Sequence, residues 1–153
     1  MTSINWEQII HFTPDEFSED PDEFAKPQLI YSLDKYRKTL DEKITPSTHP
    51  GALARNYGRV TSTHYVVGKQ SIGVDVFPEG SPFKMFSVAL FSRLFNGIGI
   101  YFDTHLNGEK RILLHLDLRP IPLIWYREGG EYSYAGDLAF WQHLFLGIYN
   151  YGI

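Results

Sequence analysis

The stretch 97–119, GIGIYFDTHLNGEKRILLHLDLR, decides how the chain reads. Asn107-Gly108 in its middle is a hairpin signal, because a two-residue type I′ turn needs positive φ at both central positions. The flanks, GIGIYF and KRILLHLDLR, are rich in aliphatic and aromatic residues and predict two antiparallel strands. Successive side chains in a strand point to opposite faces. Leu114, Leu116 and Leu118 therefore share one face, and Leu113, His115, Asp117 and Arg119 share the other. The leucine face needs a helical layer over it. Taken alone, the polar face reads either as the wall of a cleft or as the solvated side of a sheet.

Working outward, SIGVDVFP (71–78) predicts a strand stopped by Pro78, and PIPLIWY extends the strand region past His115. SPFKMFSVALFSRLF (81–95) predicts a helix, with Ser81 as N-cap and Pro82 in the first turn. In KPQLIYSLDKYRKTLDEK (26–43), Leu29, Ile30, Leu33, Tyr36 and Leu40 recur at helical spacing. TPDEF, with Thr13 as N-cap and Pro14 next, opens a short helix in an acidic, turn-rich segment. ITPSTHPGALARNYG (44–58) reads as a loop, and the apolar tail DLAFWQHLFLGIYNYGI (137–153) as a buried or docked helix.

The chain has 153 residues, the length of one domain, with 43% hydrophobic and 21% charged residues. A net charge of -4 and the lack of any Lys/Arg stripe exclude a phosphate-backbone binder, so no nucleic acid partner is expected. With no cysteine there is neither a disulfide, nor a thiolate metal site, nor a cysteine nucleophile. MTSINWEQIIHF lacks the pattern of a signal peptide, and no apolar run approaches the roughly 20 residues of a transmembrane segment. Synthesis and residence in a cytoplasm are the expectation, unless something else exports the chain. The aromatic content of 16% suits a packed core or a sugar-facing groove.

His64 follows a polar turn, and Asp75 sits between Val74 and Val76 on the first predicted strand. Each alone is unremarkable. With His115 they make two imidazoles and one carboxylate, the donor set of an open zinc site with a position left for water. Such an ion acidifies water and polarises a carbonyl. Asp117, on the same strand face as His115, is the first candidate for the proton-transfer base, and Glu109 the second.

These residues carry a resemblance. SerThrHis at 62–64, Gly68 or Gly73, Asp75, then NGIGIYF, LLHLDLR and Trp125 occur in the order found in the zinc peptidases of the D-alanyl-D-alanine carboxypeptidase and L-alanyl-D-glutamate endopeptidase family. That family includes phage endolysins and shares a fold with Hedgehog signalling domains. HFTPDEF also resembles the family's start, so the likeness runs from about 11 to 127, leaving 128–153 as an apolar C-terminal extension of a single domain (1–153).

The resemblance implies Zn2+ held by His64, Asp75 and His115, and substrate binding by Arg55, which would hold a peptide carboxylate, and by Ser62 beside the first ligand. For a wall hydrolase without a signal peptide it also implies release by lysis or carriage in a particle. It implies an α+β fold, with helices packed on one side of a small, mainly antiparallel sheet and a zinc cleft on the open face. The implied activity is hydrolysis of peptidoglycan stem peptides by a protein of phage origin. The other reading is a non-catalytic structural or assembly protein of a phage particle, its tail docked on virion proteins. The chain departs from the family in three places. Ten residues separate His64 from Asp75 where the family spaces them more closely, Leu113 stands where many members have a histidine, and no glutamate lies just before His115.

Overall fold

A computed structural model describes residues 3–151. The helices are α1 (Pro21–Phe24), α2 (Pro27–Leu40), α3 (Pro82–Ser92) and α4 (Leu138–Tyr151). The strands are β1 (Ile44–Pro46), β2 (Gly73–Pro78), β3 (Gly97–Leu106), β4 (Glu109–Asp117), β5 (Leu123–Glu128) and β6 (Glu131–Tyr134). They form one open sheet in the order β1-β2-β4-β3-β5-β6, antiparallel throughout except for the parallel pair β3/β5. The architecture is α+β, with a mainly antiparallel sheet of six strands.

The hairpin forms as the sequence predicts. Asn107 (φ 53°) and Gly108 (φ 82°) turn the chain, and Leu106 pairs with Glu109. Leu114 and Leu116 are fully buried against the helical layer, together with Val74 and Val76 of β2 and Ile98 and Ile100 of β3. From the other side come Leu29, Ile30, Leu33 and Tyr36 of α2, Met85 and Phe86 of α3, and Leu144 and Ile148 of α4. Each fully buried Leu or Ile contributes about 1.5–3 kcal/mol, so this layer holds the sheet in register. The Tyr36 hydroxyl donates to Met85 O at 2.8 Å and ties α2 to α3.

Three elements differ from expectation. The segment 44–58 is not all loop, because Ile44–Pro46 pairs with β2; three residues are too few to show a period. TPDEF gives only a 3-10 turn at Pro14–Glu16, followed by the separate short helix α1. The exposed strand β6 escaped notice because EYSY is only four residues long and buries neither of its tyrosines. In the tail, α4 closes the domain's own core through Phe140, Leu144 and Ile148, while Leu146 and Tyr149 stay exposed. Gly152 and Ile153 of the predicted tail lie outside the described residues.

Candidate metal centre

The face of the sheet turned away from the helices carries the site. His115 of β4 stands between Asp75 of β2 and Gly99 of β3, and Gly99 in turn pairs with Trp125 of β5. One step along, Asp117 stands between Gly73 and Gly97. The glycines are sterically required. A Cβ on Gly99 would overlap the Trp125 indole, and one on Gly97 would overlap the Asp117 carboxylate. Trp125 packs beside the His115 ring at 5.2 Å between centroids, and the Arg119 guanidinium covers the indole at 4.7 Å.

His64 joins these strands from the loop before β2. Its Nε2 lies 3.0 Å from His115 Nδ1 and 3.5 Å from Asp75 Oδ1, and His115 Nδ1 is 2.8 Å from the same oxygen. Ligands at 2.0–2.1 Å around a tetrahedral ion stand about 3.3 Å apart, so this triangle has the dimensions of one face of such a site. His64 and His115 are buried and Asp75 is half-buried. The three residues could hold a metal ion, and among the described residues no other His/Cys/Asp/Glu group does.

Each imidazole is oriented from behind. His64 Nδ1 donates to Leu53 O at 3.3 Å, which leaves Nε2 facing the cluster. His115 Nε2 lies 2.9 Å from Asp117 Oδ2 and 3.2 Å from Thr63 Oγ1, which leaves Nδ1 facing the cluster. Asp117 is 0% exposed, and its carboxylate also accepts from Arg119 Nε at 2.8 Å and Arg119 N at 3.0 Å. A carboxylate behind a ligating histidine fixes its tautomer and raises its basicity.

Two expectations change at this point. Asp117 does not face the ligand triangle; it is sealed on the far side of His115, where a base for cleft chemistry has no access. Glu109 begins β4 at the exposed hairpin end, six residues along the strand from His115, or roughly 20 Å at strand rise. The structure does not bring it to the cluster. Arg55 and Ser62 do arrive. Arg55 Nη2 donates to Ser62 Oγ at 2.9 Å, Ser62 Oγ accepts from His64 N, and Arg55 Nε is buried with no partner in the protein.

The long spacing between His64 and Asp75 is absorbed locally. Ile72 N donates to Thr63 O at 2.9 Å and the Ser71 hydroxyl donates to the same oxygen at 3.1 Å. The chain is thus stitched together on both sides of an outward loop, with Val67 and Lys69 exposed. Despite that loop, His64 Nε2 and Asp75 Oδ1 come within 3.5 Å of each other.

Asp75 lines an open cleft of about 630 Å³ together with Arg55, Tyr101, His49, His105 and Arg127. Among the described residues lining it, Asp75 is the sole carboxylate. Tyr101 titrates well above its usual range, first because of burial and then because of the Asp75 charge, so its hydroxyl is a donor throughout the physiological range.

Charge in the cluster is coupled to protons. Burial opposes a charged His115, but the hydrogen bonds and charges of Asp117 and Asp75 outweigh it and raise the pKa from 6.5 to about 9. Asp75 moves the other way: burial works against its charge, and the two histidines outweigh that and hold it below the usual carboxylate range. An ion bound at Nδ1 must displace the His115 proton. Apparent affinity is expected to rise about tenfold per pH unit up to pH 9 and then level off. Competition with a metallochromic indicator from pH 6 to 9.5 checks this; a flat profile would remove His115 from the ligand set. The metal-free protein responds oppositely. The folded pKa lies above the unfolded one, so this contribution to stability is complete below pH 6.5 and is lost as pH rises through 9.

Comparison with known proteins adds nothing to these geometric facts: no protein-family model, no curated protein and no solved structure matches the chain.

Proposed function

We propose that the chain is a zinc-dependent peptidase that hydrolyses peptidoglycan stem peptides, of the D,D-carboxypeptidase or L-alanyl-D-glutamate endopeptidase type and of phage origin. The observation that carries the reading is the ligand triangle of His64, Asp75 and His115, whose Asp75 lines a cleft that Arg55 also lines. Two neutral imidazoles and one carboxylate suit zinc better than the hard, all-oxygen ions, and they leave coordination free for a substrate. When bound, such an ion supplies Lewis acidity toward an amide carbonyl. The protein's part is orientation and proton handling. Arg55, a cation of the cleft wall steadied by its bond to Ser62 Oγ, offers its guanidinium charge to a peptide carboxylate. In this reading Asp117 acts through His115. Proton transfer falls to His49, an imidazole of the cleft wall, since among the described residues no second carboxylate lines the cleft. Tyr101 offers a hydrogen bond to developing negative charge.

The test is zinc content by elemental analysis, followed by incubation of purified muropeptides with protein as isolated, chelator-stripped and zinc-reloaded. The expected result is about one zinc per chain and cleavage that disappears on stripping and returns on reloading. Mass spectrometry of the products separates terminal D-alanine release from internal cleavage. Stoichiometric zinc with untouched muropeptides would refute the substrate.

A second reading, a particle protein that keeps the fold without the activity, is favoured by one observation. α3 and α4 expose Phe91, Leu146 and Tyr149, and Phe83 and Phe145 lie 6.1 Å apart at the same surface. Zinc-free protein found only in oligomers would support it. Among the described residues no helix is long and apolar enough to cross a membrane.

A further inference from the structure

We infer that Glu19, an acid in the N-terminal segment far from the metal ligands in sequence, is a positioning residue for the metal centre. The inference rests on the metal-centre reading above. Glu19 Oε1 accepts from Gly51 N at 2.6 Å, and Oε2 accepts from Leu53 N at 3.1 Å and Ala54 N at 2.9 Å. The Ser18 hydroxyl donates to the same carboxylate and shares the Leu53 amide at 3.1 Å. Gly51, Leu53 and Ala54 are buried, so without Glu19 their amides would need another acceptor. Burial works against a charge on Glu19. Ser18 and the three amides outweigh it and hold the carboxyl below its usual range. This is an anion cradle of backbone amides filled by the protein's own carboxylate.

The loop so held is the one that orients the ligands. Leu53 O receives His64 Nδ1 and thereby selects the tautomer with Nε2 free. Ala52 O receives Asp75 N at 3.1 Å, which pins the backbone of the second ligand. Arg55 N donates to His64 O at 2.8 Å, so the arginine of the cleft rim leaves from the same five-residue stretch. One carboxylate thus fixes the supports of two ligands and the position of the cationic rim. A glutamine in its place offers one acceptor oxygen and turns an amide NH2 toward backbone N–H groups. The loop must then shift, and the Leu53 carbonyl with it.

Glu19→Gln tests this in the full chain loaded with Co2+, whose visible absorption reports ligand geometry. The expected result is a folded protein by circular dichroism, with Co2+ affinity weakened about 10- to 100-fold, as for loss of other outer supports of metal ligands. Its absorption bands should shift, while Glu23→Gln on the same segment changes neither. Should Glu19→Gln fail to fold, Ser18→Ala takes its place, with a loss of a few-fold and a smaller band shift. Wild-type affinity and bands in the folded Glu19→Gln protein, or in Ser18→Ala where that stands in, would overturn the inference while leaving the metal centre intact. Wild-type protein that takes up no Co2+ would overturn both together.

Discussion

His115→Ala is expected to abolish stoichiometric metal binding, weakening affinity by well over the roughly 100-fold that marks loss of a merely supporting group. The side chain lies at the middle of the sheet face, bonded on one nitrogen to Asp117 and within reach of both other ligands on the other. No neighbouring donor can replace Nδ1, because Gly99 stands on one flank and the Asp75 strand on the other. Thermal melts with and without zinc separate two consequences. At saturation about 100-fold above Kd, zinc should stabilise the wild type by about 2.7 kcal/mol, or roughly 5–10 °C in Tm for a chain of this size. The variant should gain nothing. Its metal-free form should also melt below the metal-free wild type at pH 6, where the protonated imidazole bridges two carboxylates, and this deficit should shrink by pH 9.5. A variant that binds zinc like the wild type would end the ligand assignment.

What the sequence made legible was periodic or paired in type. The hairpin, the two long helices and the split of β4 into a leucine face and a His115–Asp117 face all follow from spacing, and the sheet order then brings Asp75 opposite His115. His64 was readable as a donor, but its orientation was not. That depends on Leu53 O, a backbone atom of an irregular loop, and on Glu19, whose partners lie 32 to 35 residues away. Asp117 was placed on the correct face, but its position behind His115 was not legible. Alternation shows which side a residue faces but not that Arg119, two residues on, folds back to seal its carboxylate. Glu109 was drawn in by its nearness in sequence, which along a strand means distance. Residue type alone picked out His64, Asp75 and His115 as a donor set; the cleft, with Asp75 as the sole carboxylate among its described lining residues, is visible only in three dimensions.

Asp117→Ala is the second large effect, and it distinguishes a support from a base. The carboxylate is fully buried and accepts from His115 Nε2, Arg119 Nε and Arg119 N. Breaking a buried ion pair by removing one partner costs about 3–5 kcal/mol, because the other charge is left without compensation. Arg119 is about a quarter exposed and can turn to water, which favours the lower end, a Tm fall of roughly 6–12 °C. His115 keeps only Thr63 Oγ1 behind it, so its ring loses both its tautomer lock and part of its basicity. Zinc affinity should fall about 10- to 100-fold. Asp117→Asn retains the volume over Gly97 and one acceptor oxygen, and should lose less of both. A base facing the cleft behaves otherwise: the asparagine variant would keep its zinc affinity and Tm and lose hydrolysis alone. Calorimetric zinc titration beside thermal melts of both variants decides between the two. Unchanged affinity and stability in Asp117→Asn, with activity gone, would mean that Asp117 reaches the substrate by a rearrangement of Arg119.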